Sequence, residues 1–128
     1  MKKILIIEDD KILCNELSTL LKNSGYETKY ISDFRHVAEQ MKQAQADLIL
    51  LDINLPEVNG ESLLQDFRRN SDTPVIMLTS RTSELDEVLS MSYGADDYIT
   101  KPYNPTILLL RISAVLKRSA KTGTVQNY

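Results

Sequence analysis

Tryptophan is absent and histidine appears once, at His36. That histidine stands beside Arg35 on the polar side of a helical stretch and reads as a solvated side chain. Cysteine also appears once, at Cys14, so an internal disulfide and a Cys-rich zinc site are both excluded. Cys14 falls on an apolar helical stripe, which reads as a buried structural thiol, and a lone thiol fits a reducing compartment. Long apolar runs are missing: residues 4–7 are followed at once by Glu8-Asp9-Asp10, too short for a signal-peptide core, and nothing approaches the ~20 apolar residues of a membrane span. The chain is therefore expected to work in the cytoplasm, away from the membrane. A positive surplus is missing too. The net charge of -3 argues against a direct grip on nucleic acid, which wants a basic surface.

What is present is an ordinary globular composition, 42% hydrophobic and 26% charged over 128 residues, enough for one α/β core. Strand-like and helix-like stretches alternate. Short β-rich runs fall at 4–7, 27–31, 48–51, 75–78 and 98–100. Between and after them, helical spacing recurs: Leu13, Leu17, Leu20 and Leu21; then Phe34, Val37, Ala38 and Met41; then Leu63, Leu64 and Phe67; then a helix over 84–94; then one over 105–119. The continuous apolar run Leu48-Ile49-Leu50-Leu51 reads as a central strand covered on both faces. Five strands alternating with five helices imply a doubly wound parallel sheet with right-handed crossovers. From Ala120 on the apolar periodicity fades, and 120–128 read as a linker.

In such a sheet, ligands collect beyond the carboxyl ends of the strands. Those ends carry Glu8, Asp9 and Asp10 after the first strand, Asp52 after the third, Thr79-Ser80 after the fourth and Lys101-Pro102 after the fifth. Carboxylates about 4 Å apart repel by about 4 kcal/mol per pair at an effective dielectric near 20. A hard cation offsets this, and Mg²⁺ takes one or two carboxylates together with phosphate oxygens. Aspartate is a covalent nucleophile toward phosphoryl groups, a lysine ammonium neutralises a phosphoryl oxygen, and a threonine hydroxyl donates a further hydrogen bond.

Four motifs in order, Ile4-Leu5-Ile6-Ile7-Glu8-Asp9-Asp10, Leu50-Leu51-Asp52-Ile53-Asn54-Leu55-Pro56 with Gly60, Leu78-Thr79-Ser80 and Gly94-Ala95-Asp96-Asp97-Tyr98-Ile99-Thr100-Lys101-Pro102, resemble the receiver domain of bacterial two-component response regulators, in particular the OmpR/PhoB subfamily. The resemblance covers about residues 2–118. It implies a flavodoxin-like (CheY-like) fold, α/β, with strand order 2-1-3-4-5, and a receiver domain at 1–119. It also implies that Asp52 is the phosphoacceptor, that Asp9 holds Mg²⁺ directly, with Glu8 acting through water, and that Asn54 lends its backbone carbonyl. Thr79 resembles the switch hydroxyl, Tyr98 the switch aromatic, and Lys101 the phosphate-binding lysine, joined to Pro102 by a cis bond. Asp10 receives no ligand role. The side chains of Asn54 and Arg81, two residues past Asp52 and Thr79, are expected to overhang the path of attacking water. His36 and the pair Arg68-Arg69 read as solvated.

The resemblance further implies a sensor histidine kinase as partner, only self-directed chemistry rather than an enzyme's, and phosphorylation-driven homodimerisation. The dimer face would comprise Val88, Met91, Asp96, Asp97, Ile107, Leu110, Arg111 and Arg118, the acids pairing with arginines of the other copy; the alternative is that Ile107 and Leu110 are covered within the monomer. The final residues, Thr124 to Tyr128, resemble the start of a winged-helix domain, through which alone DNA would be bound. A stand-alone receiver acting by protein contact is the alternative. Three other functions compete. An aspartyl-phosphate hydrolase needs a second acid where Asn54 stands. A flavodoxin-like electron carrier needs a phosphate loop where Glu8-Asp9-Asp10 stands. An interaction module that is never phosphorylated has no use for the acceptor set.

Overall fold

A computed structural model describes residues 1–125, with side chains as far as residue 120. Its centre is a parallel sheet of five strands: β1 (Lys3–Ile7), β2 (Glu27–Tyr30), β3 (Leu48–Leu51), β4 (Val75–Thr79) and β5 (Asp97–Thr100). They lie in the order β2-β1-β3-β4-β5, with Ile6 beside Tyr30 on one side and Leu50 on the other. The helices are α1 (Lys11–Asn23), α2 (Val37–Gln43), α3 (Gly60–Phe67), α4 (Glu84–Ser92) and α5 (Pro105–Val125).

The period of two along each strand divides the core into two layers. Leu5, Ile7, Ile49, Leu51, Val75 and Met77 pack with Val37, Met41, Leu63, Leu64 and Phe67 from α2 and α3. Ile4, Ile6, Leu48, Leu50, Ile76 and Leu78 face the other way and pack with Cys14, Leu17 and Leu21 of α1 and Leu108, Ile112 and Val115 of α5. Both faces are thus covered, which is why β1, β3 and β4 read as unbroken apolar runs. Cys14 is buried, as its stripe predicts.

Local chemistry starts the helices where sequence places them. Asp10, Asn59 and Ser83 cap α1, α3 and α4 by accepting hydrogen bonds from first-turn N–H groups. Asn104 does the same for α5, accepting from Ile107 N at 3.1 Å. Asp10, left without a role above, is the α1 cap.

Three expectations need correction. The second helix begins as a 3₁₀ turn at Phe34–His36, with α2 proper starting at Val37; Asp33 accepts from Arg35 N and tightens that entry. The Pro56–Gly60 loop holds a small antiparallel hairpin, Asn54–Leu55 against Val58–Asn59. The last helix, read over 105–119 with a linker from 120 onward, continues through Val125 with Gly123 inside it, because a glycine in a helix costs about 1 kcal/mol and does not by itself end it. Thr124 and Val125 thus lie in α5, and the remaining residues of the winged-helix start, 126–128, lie outside the described residues. His36 is exposed, as expected.

Candidate functional site

The strand order reverses between β1 and β3, and the crevice at their carboxyl ends holds the predicted residues together. Glu8 follows β1 and is 6% exposed; Asp52 follows β3 and is 5% exposed. Asp9, beside Glu8, is exposed. One carboxylate oxygen from each of Glu8, Asp9 and Asp52 lies within 4.8 Å of the others. Lys101, after β5, reaches into the cluster. Its Nζ donates to Asp52 Oδ2 at 2.7 Å and also to Glu8 Oε1. The Lys101–Pro102 peptide is cis, as the resemblance implies.

Charge governs this cluster. Burial pushes the Glu8 carboxyl up, while Lys101 and the Asp10 backbone N–H pull it the other way. Burial works against the Lys101 ammonium, yet its bonds to Asp52 and Glu8 raise it overall. Three carboxylates and one ammonium leave a net deficit of positive charge in a half-buried crevice, and the donor set is all oxygen. That combination fits a hard divalent cation.

The floor of the site is built by backbone. Asn54 N donates to Asp52 Oδ1 at 3.2 Å, and Gly60 N donates to Ile53 O at 2.8 Å. A Cβ on Gly60 would fall 2.0 Å from the Asp52 carbonyl oxygen, so only glycine lets the loop close this tightly behind Asp52.

Thr79 is fully buried at the end of β4, and its Oγ1 accepts from Arg81 N at 3.3 Å. Arg81 Nε donates to Asn54 Oδ1 at 2.9 Å, so the two side chains expected to overhang the acceptor are joined. Tyr98 lies inward: its ring is buried in the α2–α3 layer and its hydroxyl donates to Arg81 O at 2.9 Å. Thr79 and Tyr98 are therefore connected through one residue, Arg81.

Val88, Met91, Ile107 and Leu110 are exposed, Leu110 at 65%, so the alternative that Ile107 and Leu110 are covered within the monomer fails. Leu85, three residues before Val88 on α4, is also exposed there and was not singled out, although its i, i+3 spacing with Val88 was a signal. The charges are engaged inside the chain. Arg111 Nη1 lies 3.3 Å from Asp97 Oδ1, Arg68 Nη2 lies 3.0 Å from Asp96 Oδ2, and Arg118 Nη2 donates to Asp96 O at 3.4 Å. Arg68 is thereby corrected from solvated to structural. Glu61, the next residue missed, is buried at the start of α3. The available signal was the wheel: Glu61, Leu64 and Arg68 stand at i, i+3 and i+7, on one inward face.

A family model described as the response regulator receiver domain matches residues 4–113. The sensory transduction protein RegX3 of Mycolicibacterium smegmatis is 41% identical over 120 residues, 94% of this chain and 53% of that protein. The transcriptional regulatory protein CpxR of Escherichia coli K12 is 42% identical over 127 residues, 99% of this chain and 54% of that protein. The chain thus spans about half the length of these curated relatives. Among solved structures, the BeF3-activated N-terminal receiver domain of Klebsiella pneumoniae RstA superposes with a TM-score of 0.84 at 32% identity, covering 89% of this chain and 97% of that one. The N-terminal domain of the nisin resistance regulator NsrR gives 0.82 at 34% identity, covering 91% and 98%.

Proposed function

The chain belongs to the response regulator receiver family, and from that premise we propose that Asp52 is its phosphoacceptor, charged by a sensor histidine kinase in the cytoplasm. The observation that carries the reading is the meeting of Glu8, Asp9, Asp52 and Lys101, drawn from three strand ends, around one crevice.

The protein's own groups divide the work. Asp52 Oδ2 attacks phosphorus as the bond from phosphorus to the kinase histidine nitrogen breaks and its electron pair stays on that imidazole; Oδ1 is held by Asn54 N. Lys101, already against Asp52, neutralises a phosphoryl oxygen. Glu8, Asp9 and Asp52, with the Asn54 carbonyl, would hold Mg²⁺, which when bound offsets the charge of the incoming dianion and of the in-line transition state. Thr79 turns its hydroxyl toward the new phosphoryl oxygens. Moving Thr79 shifts Arg81, and with it the seat of the Tyr98 hydroxyl and the start of α4.

The readout we propose is a C₂ dimer through α4, β5 and α5, seated on Val88, Met91, Ile107 and Leu110 with Asp96, Asp97, Arg111 and Arg118 around them. The internal pairs Arg111–Asp97 and Arg68–Asp96 compete with exchange between copies, which favours reliance on apolar contact. Relatives named as transcriptional regulators are about twice as long as this match, which supports a winged-helix DNA-binding half as the output. Among the described residues no helix is long and apolar enough to cross a membrane. The phosphatase reading is disfavoured at Asn54, whose carboxamide cannot act as a general acid and whose Oδ1 is held by Arg81.

Intact mass after exposure to acetyl phosphate and Mg²⁺ tests the proposal. One phosphoryl group should add to the wild type and none in EDTA or to Asp52→Asn. Undiminished labelling of the Asn variant would sink the assignment.

A further inference from the structure

Behind the site lies a polar cluster that the chemistry above does not use. Glu61, on the first turn of α3, is 9% exposed, and its Oε2 has no hydrogen-bond partner among the described residues. Ser90, on α4, is fully buried, and its Oγ is likewise unpartnered. Two such groups at one helix seam are costly unless they serve each other or a neighbour. Burial first, and then the charge of Asp86, raise the Glu61 pKa, whereas Arg81 and Ser90 act to lower it, so these groups face one another across α3 and α4. Asp86 in turn lies 3.5 Å from Arg81 Nη1.

Arg81 is the hub. Its Nε donates to Asn54 Oδ1, its backbone N–H to Thr79 Oγ1, and its carbonyl accepts from the Tyr98 hydroxyl. A guanidinium half-exposed at a loop has many rotamers to lose. One bond to Asn54 does not fix it; a second arm anchored to Asp86 does.

We propose that Asp86, backed by buried Glu61, is a positioning residue for Arg81, holding the guanidinium on Asn54 as a cover over Asp52 and so lengthening the life of the aspartyl phosphate. The inference rests on the reading of Asp52 as phosphoacceptor. In the step it slows, a water oxygen forms a bond to phosphorus while the bond from phosphorus to Asp52 Oδ breaks. The electron pair returns to the carboxylate, and the water's proton leaves with inorganic phosphate or to solvent. Asn54 and Arg81, clasped together, stand across the water's approach.

The Glu61 carboxyl tunes the buttress. Burial and the neighbouring Asp86 charge both raise the Glu61 carboxyl, so ionising Glu61 sets a like charge against Asp86 and loosens its hold on Arg81. The groups facing the pair are Arg81 from the loop before α4, Ser90 on α4 and the Tyr98 hydroxyl on β5; Glu87 bears on the same hydroxyl.

The test measures loss of phosphoryl from acetyl phosphate-labelled protein by intact mass, across pH 5–9, alongside the Arg81 ¹⁵Nε–H signal of unphosphorylated protein. Asp86→Asn should speed hydrolysis by about two- to fivefold, the range a partly exposed ion pair can supply. Arg81→Ala should do the same, the double variant no more, and Asp86→Glu should restore most of the lifetime. Glu61→Gln, fixed in the neutral form, should flatten the pH profile. The Arg81 signal should broaden in Asp86→Asn and recover in Asp86→Glu. Additive effects of Asp86→Asn and Arg81→Ala, or a lifetime and an Arg81 signal both indifferent to Asp86, overturn the proposal. A wild type that takes no phosphoryl while its Arg81 signal still depends on Asp86 overturns instead the reading of Asp52, and with it the claim about lifetime.

Discussion

Arg68 offers a sharp stability test, because sequence and tertiary structure assign it opposite values. Its guanidinium donates to Gly94 O at 3.0 Å, Thr73 O at 2.6 Å, Ser71 O at 3.3 Å and Asp96 Oδ2 at 3.0 Å. Asp96 Oδ2 also accepts from Val75 N, so one ion pair ties the end of α3 to the starts of β4 and β5. Removing the side chain strands three carbonyls and a carboxylate. A hydrogen bond to a charged group contributes about 1.5–3 kcal/mol, but freed groups near the surface regain water, so a simple sum overshoots. The expected cost of Arg68→Ala is about 2–4 kcal/mol. At roughly 3–5 °C per kcal/mol for a domain of this size, Tm falls by roughly 6–20 °C. Arg68→Lys should recover only part, because an ammonium cannot reach all four acceptors. The internal control is the adjacent Arg69, 74% exposed and 3.6 Å from Asp66; Arg69→Ala should stay within about ±0.5 kcal/mol. Urea denaturation with unchanged m reads both. Equal midpoints for the two alanine variants would refute the reasoning. A secondary result is informative about the interface: freeing Asp96 should strengthen any dimer that uses its charge across the two copies.

Further outcomes follow from single features. Gly60→Ala drives a Cβ to 2.0 Å from backbone that cannot yield, so it should cost about 2 kcal/mol or more and slow labelling of Asp52, whereas an unchanged Tm would contradict the close approach. Burial, with Asp86, Glu61 and Glu87, pushes the Tyr98 phenol up to about 12. Because the folded pKa lies above the unfolded value near 10, the stabilisation is full below pH ~10 and is lost as pH rises through about 12; wild type should lose stability relative to Tyr98→Phe in that window, and parallel pH profiles would rule this out. Beryllofluoride with Mg²⁺ should shift the sedimentation coefficient of wild type from monomer toward dimer, and Leu110→Asp should prevent it; a dimer indifferent to Leu110→Asp would exclude this face.

The order of strands and helices was legible because each element announces itself locally: β-rich apolar runs at 4–7 and 48–51, and helical spacing such as Leu13, Leu17, Leu20 and Leu21. The acidic crevice was legible for a related reason. In a parallel sheet all strand ends with chemistry point one way, so Glu8, Asp52, Thr79 and Lys101 could be assembled from their places after strands. The outward apolar face of α5 was readable from periodicity, since Leu108, Ile112 and Val115 already fill the inward stripe. Polar groups were not readable this way. The wheel marks the face that carries Glu61 and Arg68 but not what meets it, and the pairing of Arg68 with Asp96 depends on which carbonyls and carboxyls other elements bring within about 3 Å. Hydrogen bonding is short-ranged and directional, so that information exists only once α3 is packed against β4, α4 and β5. The link from Asp86 through Arg81 to Asn54 is of this kind: Asn54 and Arg81 stand out by their places two residues past Asp52 and Thr79, but only packing joins them to each other and to Asp86.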